Sequence, residues 1–172
     1  MVKQLLTHKQ STSKHNPVNR KPPAPGPRYH ALIQLLLTAE TLWNASRIFF
    51  GPWNLSPSQF NVLNLLNDRP AGFTQSELSR QLIMHRSNVT GLIDRLERRG
   101  LVRRADSATD RRAYRVALTP AGQKLIREIL PRYYTAAEQI WGALPVRRTN
   151  QLVAELAQLS ANTESIAQQK SK

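Results

Sequence analysis

Between His85 and Gly100 the chain sets Val89, Leu92, Ile93 and Leu96 at helical spacing, which leaves Ser87, Asn88, Gly91, Asp94, Arg95 and Arg98 on the opposite side. The residue types on that second face suit a DNA groove. Arg and Asn can each bond a base edge at two points, Ser and Thr reach bases or phosphates, and Gly91 permits close approach. The start of such a helix also offers free N–H groups to phosphate. Arg86, Ser87, Asn88 and Thr90 therefore take the base-facing end, with Arg95 and Arg98 on phosphates and Thr74 and Gln75 at the start of the preceding helix beside them. A solvated basic face is the commoner fate of any single charge run. Further on, Asp110-Arg111-Arg112 puts two guanidinium groups in a polar loop, where the negative potential of a narrow minor groove would attract them. The triplet alone is weak evidence. Its place just before an alternating strand and Leu118-Thr119-Pro120-Ala121-Gly122 gives it weight.

Other chemistries find little support. The absence of Cys excludes a disulfide framework, a thiolate zinc site, an iron–sulfur cluster and a thiol nucleophile or redox switch. His8, His15, His30 and His85 are scattered, so no metal site is expected. The chain has no Gly-rich phosphate loop, no nucleophile with a base at informative spacing and no carboxylate pair in an apolar setting. Neither catalysis nor a cofactor is expected.

These residues need elements to position them, and 172 residues with 40% hydrophobic content can build one core. The formal charge of +14 is uneven: residues 1–28 carry +6, 29–79 carry −1, 80–115 carry +6 and 116–172 carry +3. The first block is a leader with Pro17, Pro22, Pro23, Pro25 and Pro27, a composition that resists ordering. It is either an idle tail or a basic arm on nucleic-acid backbone, and an organellar presequence has only its lack of acids in favour. The most apolar stretch, residues 31–37, falls far short of the roughly 20 residues that span a bilayer, and the start lacks a secretory signal, so a cytoplasmic address is expected.

A first helix runs from Tyr29 to about Phe50, its apolar residues Leu32, Ile33, Leu36, Leu37, Trp43, Ile48 and Phe49 covering more than one stripe, as burial against a second chain would require. Gly51-Pro52 breaks it. Ser56-Pro57-Ser58-Gln59 and Thr74-Gln75-Ser76-Glu77 read as capping boxes, opening helices over about 57–67 and 75–81. The helix from His85 to Arg99 follows after a tight connection, a helix-turn-helix signal. Segments 101–105 and 114–118 read as strands, making the hairpin of a winged helix. Thr119-Pro120 caps a long helix to about Gly142 that Pro131 should kink or divide, and a last helix from about Pro145 places Leu152, Val153, Leu156 and Leu159 on one face.

Through Leu78-Ser79-Arg80-Gln81-Leu82, Val89 to Val102 and Asp110 to Gly122, the sequence resembles the MarR family of bacterial transcriptional regulators, over about residues 30–160 in element order. The resemblance implies a triangular homodimer, with the first and last two helices at its interface and two winged helices in adjacent major grooves. It implies that Arg112, with Arg111 beside it, enters the minor groove, and that Asp94 forms an ion pair near the wing base. A carboxylate facing DNA does need a cationic partner. Position 85, commonly a small capping residue in such proteins, is His85, and position 83, often Gly, is Ile83. Many relatives release DNA when an aromatic acid binds. Trp43, Arg47, Phe60, Tyr133 and Tyr134 would suit such a ligand, although ordinary packing is the commoner role for each.

The expected fold is thus mainly α with a small β-hairpin wing: a leader over 1–28, a dimerisation helix over 29–51, a winged helix-turn-helix over 52–119 and dimerisation helices over 120–172. The expected activity is sequence-specific recognition of duplex DNA by a nucleoid-associated homodimer, probing an operator as a repressor. A winged helix used as a protein-interaction module or a general nucleic-acid coater is the alternative.

Overall fold

A computed structural model describes residues 24–82, 84–106 and 114–170. The chain divides into two units, residues 1–44 and 45–172. In the first, the described residues from Pro27 belong to helix α1 (Pro27–Phe50). Of its apolar side chains, Leu32, Ile33, Leu36, Leu37, Leu42 and Trp43 are 38% to 58% exposed.

The second unit takes up α1 at Ala45. A single 3-10 turn, Gly51–Trp53, follows the helix, and Asn54 closes it with a left-handed φ of 51° and an N–H bonded to the Gly51 carbonyl. Helix α2 (Pro57–Asn67) opens on a capping box, with Ser56 Oγ accepting from the Gln59 amide at 3.2 Å and Gln59 Oε1 accepting from the Ser56 amide at 2.8 Å. Strand β1 (Phe73–Thr74), helices α3 (Gln75–Gln81) and α4 (Arg86–Arg98), strands β2 (Val102–Asp106) and β3 (Tyr114–Leu118), and helices α5 (Pro120–Trp141) and α6 (Val146–Lys170) complete the chain. The strands form one antiparallel sheet in the order β1-β3-β2, with Phe73 opposite Val116 and Val102 opposite Leu118. The fold is mainly helical with a small winged sheet, as expected.

Strand β1 escapes a sequence reading because two residues cannot show an alternation. Gly72, at φ +73°, delivers it to the edge of β3, where a Cβ would stand 2.2 Å from the Val116 carbonyl oxygen. Of the kink or division expected at Pro131 in helix α5, the division does not occur, since the helix runs through it. Proline deprives the carbonyl four residues back of its donor. Here that residue is Arg127, exposed on the outer side of the helix, where water can satisfy it.

The core gathers Phe60, Val62, Leu63 and Leu66 from α2, Leu78 from α3, Val89, Ile93 and Leu96 from α4, Val102 and Val116 from the hairpin, and Ile126 and Ile129 from α5. Phe60 lies stacked on Phe50 with ring centres 4.2 Å apart, and Tyr133 closes on both. This apolar hub fixes α4 with its other side outward.

The second capping box ties the sheet to α3. Thr74 Oγ1 accepts from the Glu77 amide at 3.2 Å, and Glu77 Oε2 accepts from the Thr74 amide at 2.7 Å. Arg69 at 3.2 Å and Arg115 at 3.5 Å flank the same carboxylate. The Thr74 backbone N–H holds Glu77 below its ordinary 4.5, helped by the Thr74 hydroxyl and both guanidinium groups and opposed by partial burial. Stability from a lowered carboxylate is present above its unfolded value and is lost as pH falls through the folded one. Glu77→Gln is therefore expected to cost about 0.5–1 kcal/mol at neutral pH, with the gap to wild type narrowing as pH falls below the ordinary 4.5. Urea titrations at a series of pH values measure it.

Candidate nucleic-acid interface

Helices α3 and α4 are joined by a tight turn in which Ser79 holds both polar groups of Met84: its carbonyl accepts from the Met84 amide at 3.1 Å, and its hydroxyl donates to the Met84 carbonyl at 2.5 Å. Ile83 lies outside the described residues. Val89, Leu92, Ile93 and Leu96 are buried, and Arg86, Ser87, Asn88, Arg95 and Arg98 are exposed. Arg95 lies back across Gly91, its Nη1 3.5 Å from where a Cβ would stand. Ser56, Ser58, Ser87, Asn88, Gly91 and Arg95, with Met84 and Leu92, line a depression of about 380 Å³. The outer side of α4 is thus polar, cationic and open.

Three of the residues expected at this face are held by the protein. Thr74 is the cap just described. Gln75 is only 9% exposed. Its Nε2 donates to the Arg86 carbonyl at 3.1 Å and to the Thr90 hydroxyl, while its Oε1 accepts from the Tyr114 hydroxyl at 2.7 Å. Thr90 turns its own hydroxyl back to the Arg86 carbonyl at 3.1 Å. Gln75 and Thr90 therefore link α3, α4 and β3 instead of reaching outward, because a buried amide must find partners inside the protein. Arg111 and Arg112 lie outside the described residues.

Asp94 finds its cation in Arg104 of β2, whose two Nη atoms engage Asp94 and Glu97 separately. The Glu97 carboxylate also accepts from the Arg104 amide at 3.1 Å, and the guanidinium lies over the Tyr114 ring at 5.0 Å. Burial works against the charge on Arg104, but the hydrogen bonds to Asp94 and Tyr114 and the charge of Glu97 outweigh it and hold the group above the usual arginine value. Sequence reasoning missed Arg104, Glu97 and Tyr114. The signal was present in Asp94 and Glu97, two acids three residues apart on a helix meant for phosphates, which demand a cation from the strand that follows.

Arg99, which ends α4, donates to the carbonyls of Asn54 at 2.6 Å and Trp53 at 3.0 Å. Trp53 Nε1 in turn donates to Glu128 of α5 at 2.9 Å, and Arg132 lies 5.5 Å over its ring. Arg99 thus ties the C-terminal end of α4 to the 51–54 turn and, through Trp53, to α5, while Asp94 and Glu97 in the same half of the helix hold the wing.

The expected effector residues are divided. Phe60 is buried against Phe50 and Tyr133, and the part-buried Tyr133 packs against Phe49, Phe50 and Phe60, so both rings already have aromatic partners within the protein. Tyr134 and Arg47 are exposed, and Trp43 belongs to the first unit. Among the described residues, no group of three or more His, Asp or Glu stands where it could hold a metal ion, and no helix is long and apolar enough to cross a membrane.

A two-helix reader followed by a hairpin, with the reader's outer face cationic, defines the class of winged helix-turn-helix DNA-binding proteins. The profile of the MarR family matches residues 53–113. The HTH-type transcriptional regulator FarR of Neisseria gonorrhoeae is 31% identical over 130 residues, covering 74% of this chain and 88% of its own. The HTH-type transcriptional regulator PrsX of Escherichia coli is 32% identical over 126 residues, 72% of this chain and 76% of its own. Among solved structures, the transcriptional repressor CouR bound to a 23-mer DNA duplex superposes with a TM-score of 0.66 at 29% identity, covering 77% of this chain and 91% of that one. The chain belongs to the MarR family of transcriptional regulators.

Proposed function

We propose that the protein is a repressor that grips a pseudo-palindromic operator as a homodimer, with half-sites about one helical turn, roughly 34 Å, apart. The observation that carries this reading is the open outer face of α4, whose two acids are neutralised by Arg104 while Arg86, Ser87, Asn88, Arg95 and Arg98 remain exposed. In this reading Arg86, Ser87 and Asn88 read base edges, Arg95 and Arg98 hold phosphates, and Arg111 and Arg112 at the wing enter the minor groove. Thr74, Gln75 and Thr90 set the angle of the reader. In this reading the winged domain spans 52–119, and residues 1–28 are a basic leader outside it.

Dimerisation through residues 29–51 and 120–172 is supported by the uncovered side chains of Leu36 and Leu37 on α1, Ile140 on α5, and Val153 and Ile166 on α6. Release by a small aromatic acid would draw on Arg47 for the carboxylate and Tyr134 for stacking.

Titration of the protein against its own upstream DNA and against scrambled DNA at one salt concentration tests the reading. A regulator prefers the former by about a thousandfold or more; equal binding would make it a coater, and no binding would leave an interaction module. Asn88→Ala is expected to cost about 1–3 kcal/mol on the preferred site with little change on random DNA. An equal loss on both would remove Asn88 from the base-reading set.

A further inference from the structure

His85 stands at the N-cap of α4, exposed, with an extended backbone (φ −62°, ψ 142°). Its Nδ1 accepts from the Ser87 amide at 3.4 Å and lies 2.8 Å from the Ser87 hydroxyl. An amide N–H can only donate, so Nδ1 must present a lone pair, and the Ser87 hydroxyl then donates to the same nitrogen. A neutral imidazole with a bare Nδ1 carries its proton on Nε2. A serine or aspartate would cap this helix as well. What the imidazole adds is an N–H donor held at the exposed tip of the reader, one residue before Arg86.

We propose that His85 is a specificity-determining residue, its Nε2–H donating to the acceptor edge of a guanine, N7 or O6, in each half-site. This rests on the operator-binding reading above. The base edge is favoured over phosphate because the N-terminal residues of a reading helix are the ones that enter the major groove, and His85 shares that end of α4 with Arg86, Ser87 and Asn88. Guanine is favoured over the other bases because it sets two acceptors side by side with no intervening donor. The hydroxyl of Ser87, by donating to Nδ1, also braces the ring, while its oxygen keeps lone pairs for a donor on a base edge.

The test uses the full-length protein and a site chosen by selection from random oligonucleotides. His85→Ser keeps a cap and removes the donor. It is expected to melt within about 1 °C of wild type, to bind the selected site about tenfold more weakly, to bind random DNA within twofold of wild type, and, on reselection, to lose its guanine preference at one symmetric position. Long-range proton–nitrogen correlation of the free protein is expected to show Nε2 protonated and Nδ1 bare, with that preference weakened in Ser87→Ala. Unchanged affinity and site preference in His85→Ser would reduce the residue to a cap. An equal loss on selected and random DNA would make it a phosphate contact, and a protonated Nδ1 would remove the geometry; each overturns the proposal. Should wild type show no preference for any site, the operator reading itself fails, a result separate from all of these.

Discussion

Arg104→Ala is expected to weaken binding to a selected operator by about a hundredfold while leaving the fold intact. The substitution deletes the cation shared by Asp94 and Glu97, and both carboxylates then stand on the helix that must approach phosphate. Two like charges some 4 Å apart repel by about 4 kcal/mol at an effective dielectric of about 20. With side-chain exposures of 48% and 36% for the two acids, solvent screening reduces the net penalty to about 2–3 kcal/mol, the hundredfold stated. Stability should fall by only about 1 kcal/mol, since the pairs are partly solvated. The diagnostic is charge, and it can be separated from shape. Adding Asp94→Asn and Glu97→Gln to Arg104→Ala should recover most of the lost affinity, and raising the salt concentration should narrow the gap between wild type and the single variant. A triple variant as weak as the single one would show that Arg104 acts by holding the wing in place through Tyr114, not by neutralising the helix.

The same cluster shows what a sequence discloses and what it withholds. Val89, Leu92, Ile93 and Leu96 announce the buried side of α4 through a spacing that any helix must obey, and they emerge buried. Ser56 and Thr74 announce helix starts through local hydrogen bonds that need no tertiary information, and both capping boxes form. Gln75 is different. It sits in the first turn of α3, where solvent or DNA is the default surroundings, and its burial arises from Tyr114, 39 residues later, folding over it. Arg104 likewise meets Asp94 and Glu97 only because the β2 register brings it back along α4. Polar networks between elements depend on packing angles that periodicity does not encode, so the outer face was legible and the struts beneath it were not. Pro131 makes the complementary point: a local rule forecast a kink or a division, and α5 carries the proline at an exposed position without being divided.

Gly122→Ala should destabilise the protein, against the direction that helix propensity dictates. Gly122 is the third residue of α5, and in an unconstrained helix alanine is better than glycine by about 1 kcal/mol. Here a Cβ would stand 2.0 Å from the Leu101 carbonyl oxygen, 3.0 Å from its carbon and 3.2 Å from Leu118 Cδ2. The obstacle is backbone, and it is fixed from two sides. The Leu101 carbonyl accepts from the Thr119 amide at 3.1 Å, and Thr119 Oγ1 both donates to the Gly100 carbonyl at 2.5 Å and accepts from the Gly122 amide at 3.1 Å. These bonds seat α5 on the end of the hairpin, so a methyl group must either break the Leu101–Thr119 bond or lift the helix from the sheet. Overpacking of this kind costs about 2–3 kcal/mol, a fall of roughly 6–10 °C in Tm for a chain of this size. Because the hairpin carries Arg104 and Tyr114, operator affinity should fall with it even at temperatures where the variant remains folded, which DNA titration at 10 °C would separate from simple unfolding. A variant equal to or more stable than wild type would mean that the first turn of α5 does not press on Leu101, and the junction between wing and helix would have to be redrawn.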